Sequence, residues 1–148
     1  MRISAMLCGV MVVFGCAPAE EQPPVETPAP PAVSLADFAG SWTVSTMGEA
    51  SDSVLLTYDM TGAADPAGWT ITFPGRDPQP MAVTLDGDSV MGRMGPYESA
   101  LRPGTMVTTD FVSRLENGML RGTFVARYQT DAADSVLRGR ISGSRKTQ

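Results

Sequence analysis

The chain has 148 residues, sixteen acids against eleven bases for a net charge of −5, two cysteines and no histidine. The lack of histidine removes the commonest metal ligand and the usual general base near neutral pH. The mild acidic balance argues against a nucleic-acid partner.

Residues 1–15 carry one charge, Arg2, and then an apolar run from Ile3 to Phe14. Twelve residues make about 18 Å of helix, too short for the roughly 30 Å hydrocarbon core of a bilayer. A basic start, a short apolar run and the small Gly15 before a cysteine describe a secretory leader that is cut off. Val13, Gly15 and Cys16 resemble the bacterial lipobox, in which a signal peptidase cuts before the cysteine and the thiol takes a diacylglycerol. The resemblance implies lipidation of Cys16. It also implies, because Ala17 rather than Asp follows, an outer-membrane lipoprotein of the bacterial envelope facing the periplasm. A plain signal peptide or a retained anchor are the alternatives. The other cysteine, Cys8, follows Leu7 and leaves too short an apolar run before it. Two or three acyl chains, at roughly 0.8 kcal/mol per buried CH₂, would make attachment lasting.

Residues 16–33 read as the lipidated cysteine and a disordered linker. Six of the chain's twelve prolines and three acids, Glu20, Glu21 and Glu26, fall here without one aromatic residue. Such a segment cannot bury enough apolar surface to offset its ordering entropy. Proline favours an extended form of about 3.1 Å per residue, so the spacer reaches up to roughly 50 Å. A proline-motif ligand for a partner domain is the competing reading.

Residues 34–148 are the size of one domain. Cys8 goes with the leader and Cys16 is consumed by lipid, so no disulfide is expected and an apolar core must stabilise the fold. Ser34-Leu35-Ala36-Asp37-Phe38 suits one helical turn with Ser34 as its cap. Strands are expected near 41–47, 53–60, 68–73, 80–85, 88–94, 105–115, 119–128 and 135–145. Short alternating segments separated by Gly, Pro and Asp, without a helical period, indicate an all-β fold. The expected architecture is an antiparallel up-and-down β-barrel of about eight strands. Tyr97–Arg102 is either a bent continuation of the fifth strand or a short extra one.

The hairpins set the register. Asn117-Gly118 is a strong two-residue turn signal because both residues tolerate positive φ. It places Phe111 opposite Phe124 and Leu115 opposite Leu120 on the core face, with Arg114 opposite Arg121 on the other. A second turn lies within Asp86-Gly87-Asp88. The expected inward set includes Trp42, Val44, Val54, Leu56, Tyr58, Trp69, Ile71 and Phe73 from the first half. Met81, Val83, Leu85, Val90, Met94, Phe111, Leu120, Phe124, Leu137 and Ile141 follow from the second.

Gly40-Ser41-Trp42 after a helical turn, then an antiparallel meander with arginines in its last strand, resembles the calycin group, the lipocalins and lipocalin-like barrels. The resemblance implies that Trp42 packs across the barrel floor with a late arginine over its indole. Gly40, Trp42 and Arg140 are then the barrel-closing residues, with Arg138 and Arg145 as further candidates. It also implies a small apolar ligand held inside. The interior residues that would meet it are Trp42, Tyr58, Trp69 and Phe73, with Met81, Met94, Phe111 and Phe124 from the later strands. The seven methionines after the leader either line an adaptable pocket or fill the core. A domain shorter than a usual lipocalin suits the alternative of a filled barrel with no ligand.

Asp86-Gly87-Asp88 lacks the further acid that a calcium loop requires and reads as a solvated turn, so no metal or cofactor is implied. All ten bases of the domain follow residue 75, while 34–75 holds five acids and no base. Strand parity turns most of these arginines outward as a solvated wall; Arg76 and Arg102 fall in loops near Tyr97 and Glu98, where they would gate a mouth. Tyr58, Tyr97, Glu98 and Asp110 are the available acid–base groups, but nothing in their spacing orders them, and no enzyme is expected. The expectation is therefore a membrane-anchored, non-catalytic envelope lipoprotein that binds or carries a small apolar ligand in its barrel. The alternative is a filled structural or protein-interaction module of the envelope.

Overall fold

The computed structural model describes residues 32–147. The expected leader, the lipidation site Cys16 and nearly all of the proline-rich linker lie outside the described residues.

Ser34 precedes a four-residue helix, α1 (Leu35–Phe38). The Asp37 carboxylate accepts from the Ser34 backbone N–H at 2.7 Å and from its hydroxyl at 3.0 Å. These two hydrogen bonds, backbone first, hold the Asp37 carboxyl below its ordinary pKa. Nine strands follow: β1 (Gly40–Gly48), β2 (Val54–Gly62), β3 (Thr70–Thr72), β4 (Gln79–Pro80), β5 (Ala82–Asp86), β6 (Ser89–Glu98), β7 (Met106–Glu116), β8 (Met119–Tyr128) and β9 (Val136–Arg145). They form one sheet in the order β4-β3-β2-β1-β9-β8-β7-β6-β5.

The two edges of that sheet are consecutive in the chain. Pro80 pairs with Thr70 on β3, the Met81 N–H donates to the Trp69 carbonyl at 3.1 Å, and Ala82 pairs with Arg93 on β6. One bent strand thus leaves one edge for the other, and a nearly closed antiparallel nine-strand barrel results. The single strand expected at 80–85 is split because its partner changes at Met81. Pro80, which has no N–H to donate, falls at the break, where a ladder can spare one.

The turn chemistry holds as the residues dictate. Asn117 (φ 52°) and Gly118 (φ 76°) are both left-handed, and the hairpin they close pairs Phe111 with Phe124, Leu115 with Leu120 and Arg114 with Arg121. At the other hairpin Asp86 pairs with Ser89, so Gly87-Asp88 is the turn, with Gly87 at φ 60° in the first central position. Tyr97 and Glu98 belong to β6, past an irregularity between Met94 and Tyr97 that contains Gly95-Pro96. The bent continuation is the form observed.

The core runs the length of the barrel, with Trp42, Phe38, Trp69, Leu120, Val44, Val90 and Val107 almost wholly enclosed. Val54 departs from the expected inward set and is 57 % exposed. The register of β1 against β2 slips between Thr46 and Met47, where Thr46 faces Leu56 but Met47 faces Val54. That bulge breaks the alternation at the start of β2, so Leu56 and Tyr58 pack on the core while Val54 does not.

Candidate functional site

The barrel has one end filled by its own chain and one end that is a mouth. At the filled end the Trp42 indole N–H donates to the Phe38 carbonyl at 2.8 Å, and the Trp69 indole N–H donates to the Ala63 carbonyl at 2.9 Å. Phe38 and Trp69 pack with ring centroids 6.4 Å apart. The guanidinium over Trp42 belongs to Arg145, whose carbon stands 4.3 Å from the ring centroid. This corrects the expectation for Arg140. Trp42 and Arg145 are cross-strand partners, whereas Arg140 pairs with Met47, about 16 Å further along the strand at 3.3 Å per residue. Arg140 instead faces outward and bonds the Ser51 carbonyl at 2.9 Å and Asp52 at 2.8 Å. Gly40, the other barrel-closing candidate, sits at φ 122° beneath the Arg145 guanidinium.

The mouth is formed where β1, β2, β3, β6, β7, β8 and β9 reach the opposite end. Tyr58 meets Phe73 edge-on at 5.5 Å, and Phe73 stacks on Tyr97 at 5.5 Å. The Tyr97 and Thr109 hydroxyls are 3.0 Å apart. Below them Phe111 and Phe124 make a floor, and that floor exists because two strand positions opposite it carry no side chain. A Cβ on Gly92 would lie 2.1 Å from the Phe111 ring. One on Gly139 would lie 2.5 Å from Phe124 and 2.1 Å from the Met47 carbonyl.

A loop over residues 99–105 forms the roof. The Ser99 hydroxyl oxygen accepts from the backbone N–H of Leu101 at 3.1 Å and of Arg102 at 3.0 Å. The Gly104 N–H donates to Glu98 at 3.0 Å. Arg76 donates to the carbonyls of Glu98 and Ser99, and Arg102 lies 4.2 Å over the Tyr128 ring while pairing with Asp134 at 2.7 Å. Both arginines expected at a mouth are therefore beside it, and both hold its roof.

The space left inside is small, a cavity of about 50 Å³. That is room for a few water molecules, far below the roughly 300–1,000 Å³ of sites that take drug-sized ligands. Burial pushes the Tyr58 phenol well above its ordinary pKa, with the neighbouring Tyr97 adding to the shift. Burial also raises Tyr97, partly countered by its bond to Thr109. No buried side-chain polar atom lacks a partner among the described residues, and the Tyr58 hydroxyl makes no hydrogen bond to any of them. It therefore keeps contact with water in the mouth.

Of the interior residues expected to meet a ligand, Tyr58, Phe73, Met94, Phe111 and Phe124 line this cavity. Trp42, Trp69 and Met81 do not: the two indoles are engaged at the filled end, and Met81 is buried at the bend between β4 and β5. Tyr128, Val107 and Thr109 are missing from the expected inward set, although they share the parity of Phe124 and Phe111 and lie within the strands expected at 105–115 and 119–128. Tyr97 is absent from the expected inward set although a bent continuation of the fifth strand is one of its two readings, because Gly95-Pro96 interrupts the alternation that would carry it inward. Of the acid–base groups, Tyr58 and Tyr97 share the cavity and the two acids do not. Glu98 is bound to the roof, and Asp110 lies on the outer wall paired with Arg127 and, at 3.7 Å, Arg93. Among the described residues no group of three or more Asp, Glu, His or Cys is placed to hold a metal, and no helix is long and apolar enough to cross a membrane.

The chain matches no family model, no curated protein and no solved structure.

Proposed function

We propose that this is a non-catalytic lipoprotein of the bacterial envelope, anchored through Cys16, whose lipocalin-like barrel is filled and serves as a structural or interaction module. The observation that carries the reading is the cavity of about 50 Å³ above the Phe111–Phe124 floor. A barrel built to carry a lipid or a drug-sized molecule would leave several times that space. The lipobox-like Val13-Gly15-Cys16 and the proline-rich spacer behind it support the anchor.

A second reading, in which the mouth takes a small or slender apolar group, draws on one feature. Beside Phe73 and Tyr97, Tyr58 offers a hydroxyl that bonds none of the described residues, which suits a ligand with an apolar tip and one polar atom. Native mass spectrometry separates the two. Residues 31–148, which form one compact unit, should emerge without a bound species when purified without detergent, and should show no thermal shift across a lipid panel. A co-purifying small molecule would favour the second reading over the first. The anchor has its own test: labelled palmitate should appear on the full chain and be absent from Cys16→Ser, which should accumulate as unprocessed precursor.

A further inference from the structure

The outer wall of β6–β9 carries a charge pattern that neither the mouth nor the filled end uses. The side chains opposite the core on these strands include Arg93, Arg114, Arg121, Arg127, Arg138 and Arg140, against three acids, Glu98, Asp110 and Glu116. All three are engaged, Glu98 and Asp110 as described and Glu116 with Arg114 at 2.6 Å. Arg121 and Arg138 make no ion pair among the described residues; Arg121 donates only to the Ser142 hydroxyl, at 2.9 Å, and weakly to the Met119 sulfur. Arg114 and Arg121 are direct cross-strand partners. Like charges in that position repel, and an anion between them would relieve the repulsion. With Arg140 they border an open groove of about 330 Å³. Val112 and Met91, 44 % and 39 % exposed, stand among the guanidiniums.

The wall also lies where the chain enters the barrel. Ala32 and Val33 share a groove with Asp88 and Leu115. Those two residues adjoin Ser89 and Arg114, which line the arginine groove. Ala32 and Val33, the first described residues, therefore stand beside the arginine groove. Of the acidic segment 34–75, Asp52 reaches the wall and pairs with Arg140 at 2.8 Å.

We infer that this wall docks on the anionic phospholipid headgroups of the bilayer that holds Cys16. Planar guanidinium forks match phosphate oxygens in pairs, a sheet face offers them over an area as a headgroup layer does, and Met91 and Val112 enter that layer. The inference rests on the envelope reading and names the partner of its interaction surface. A tether attached to the same membrane raises the effective concentration of the wall there, so individually weak contacts suffice.

The test uses residues 31–148, which lack Cys16, so acylation plays no part in its outcome. In cosedimentation at low salt, the unit should bind vesicles containing phosphatidylglycerol, fail to bind pure phosphatidylcholine, and dissociate at high salt. Arg121→Gln with Arg138→Gln should weaken binding by roughly thirtyfold at an unchanged melting temperature. The salt dependence of the unsubstituted unit gives an independent measure if the variant folds poorly. Absence of binding, equal binding to neutral vesicles, or an unaffected folded variant would overturn the inference. Equal affinity for polyglutamate would place an acidic protein partner on the wall instead. Failure of palmitate labelling on the full chain, by contrast, would remove the anchor and leave the vesicle result standing.

Discussion

Arg145 and Trp42 are cross-strand partners on β9 and β1, and the guanidinium of Arg145 both covers the Trp42 indole at 4.3 Å and donates to the carbonyls of Asp37 and Ala39. One side chain therefore joins the last strand, the first strand and the end of α1. The Trp42 indole N–H, held by the Phe38 carbonyl, completes the connection. Closure at this end is a set of hydrogen bonds to backbone groups that leave α1 without a helical partner, with the cation–π contact laid over them.

Removing Arg145 should accordingly cost more than removing any outer-wall arginine. A cation–π contact at a partly exposed site is worth about 0.5–1 kcal/mol, and each charged hydrogen bond to a carbonyl about 1 kcal/mol or more. Arg145→Ala should destabilise by about 3 kcal/mol in urea denaturation, while Arg140→Ala, which loses an exposed ion pair with Asp52 and a bond to the Ser51 carbonyl, should cost about 1 kcal/mol. Equal losses for the two would show that Arg145 does not close the barrel.

Gly139 is a strand position with no room for a side chain. A Cβ there would meet the Met47 carbonyl at 2.1 Å and the Phe124 ring at 2.5 Å, so both a backbone and a core ring would have to move. Gly139→Ala should cost about 3 kcal/mol, at the upper end of overpacking effects. Gly75→Ala, where a Cβ meets nothing within 4 Å but φ is +70°, should cost about 1 kcal/mol from backbone strain alone. Denaturant midpoints of the two variants give the comparison, and the reverse order would contradict the packing described.

Much of this architecture was legible in the residues, and the failures have physical causes. Asn117-Gly118 specifies its turn through two left-handed residues, and the register of Phe111 on Phe124 follows without further information. Strand parity alone places Arg145 with Ile141 on the core face and Arg140 on the outer one; the resemblance asks only for a late arginine, and neither says how far along the barrel its partner lies. That depends on the pairing of β1 with β9, the longest-range pairing in the sheet. Val54 was misplaced by a bulge that no turn residue announces. The size of the cavity was illegible, since it depends on whether Phe111 and Phe124 fold over Gly92 and Gly139. A glycine in a strand signals close approach but does not name what approaches.

If those two rings are what fills the barrel, deleting one should convert it into a ligand site. Phe124→Ala should lose about 3–5 kcal/mol, a serious but survivable part of the roughly 5–15 kcal/mol expected of a domain. The apolar space it leaves should stay dry and accept a small aromatic. Benzene should raise the melting temperature of Phe124→Ala and leave the unsubstituted protein unmoved. A variant that folds but ignores benzene would mean that the mouth collapses into the gap.

Tyr58 gives a pH dependence with a definite sign. Its phenol is held above the ordinary value of about 10 by burial, so the folded state keeps a proton that the unfolded chain releases once pH exceeds that value. The native state then binds more protons than the unfolded one, and stability falls as pH rises. The contribution is fully present below about pH 10 and is lost on the way up to the higher folded-state value. Tyr97 acts in the same direction. Tyr58→Phe removes the ionisable group but keeps the edge-on contact with Phe73 at 5.5 Å. Because the hydroxyl makes no hydrogen bond to the described residues, the variant should match the unsubstituted protein within about 1 kcal/mol at neutral pH and should unfold at a higher pH in alkali. Circular-dichroism melts at pH 7 and across the alkaline range measure both effects. A clear loss at pH 7 would mean that the hydroxyl has a partner inside the barrel, and an unchanged alkaline midpoint would mean that it titrates freely in the mouth.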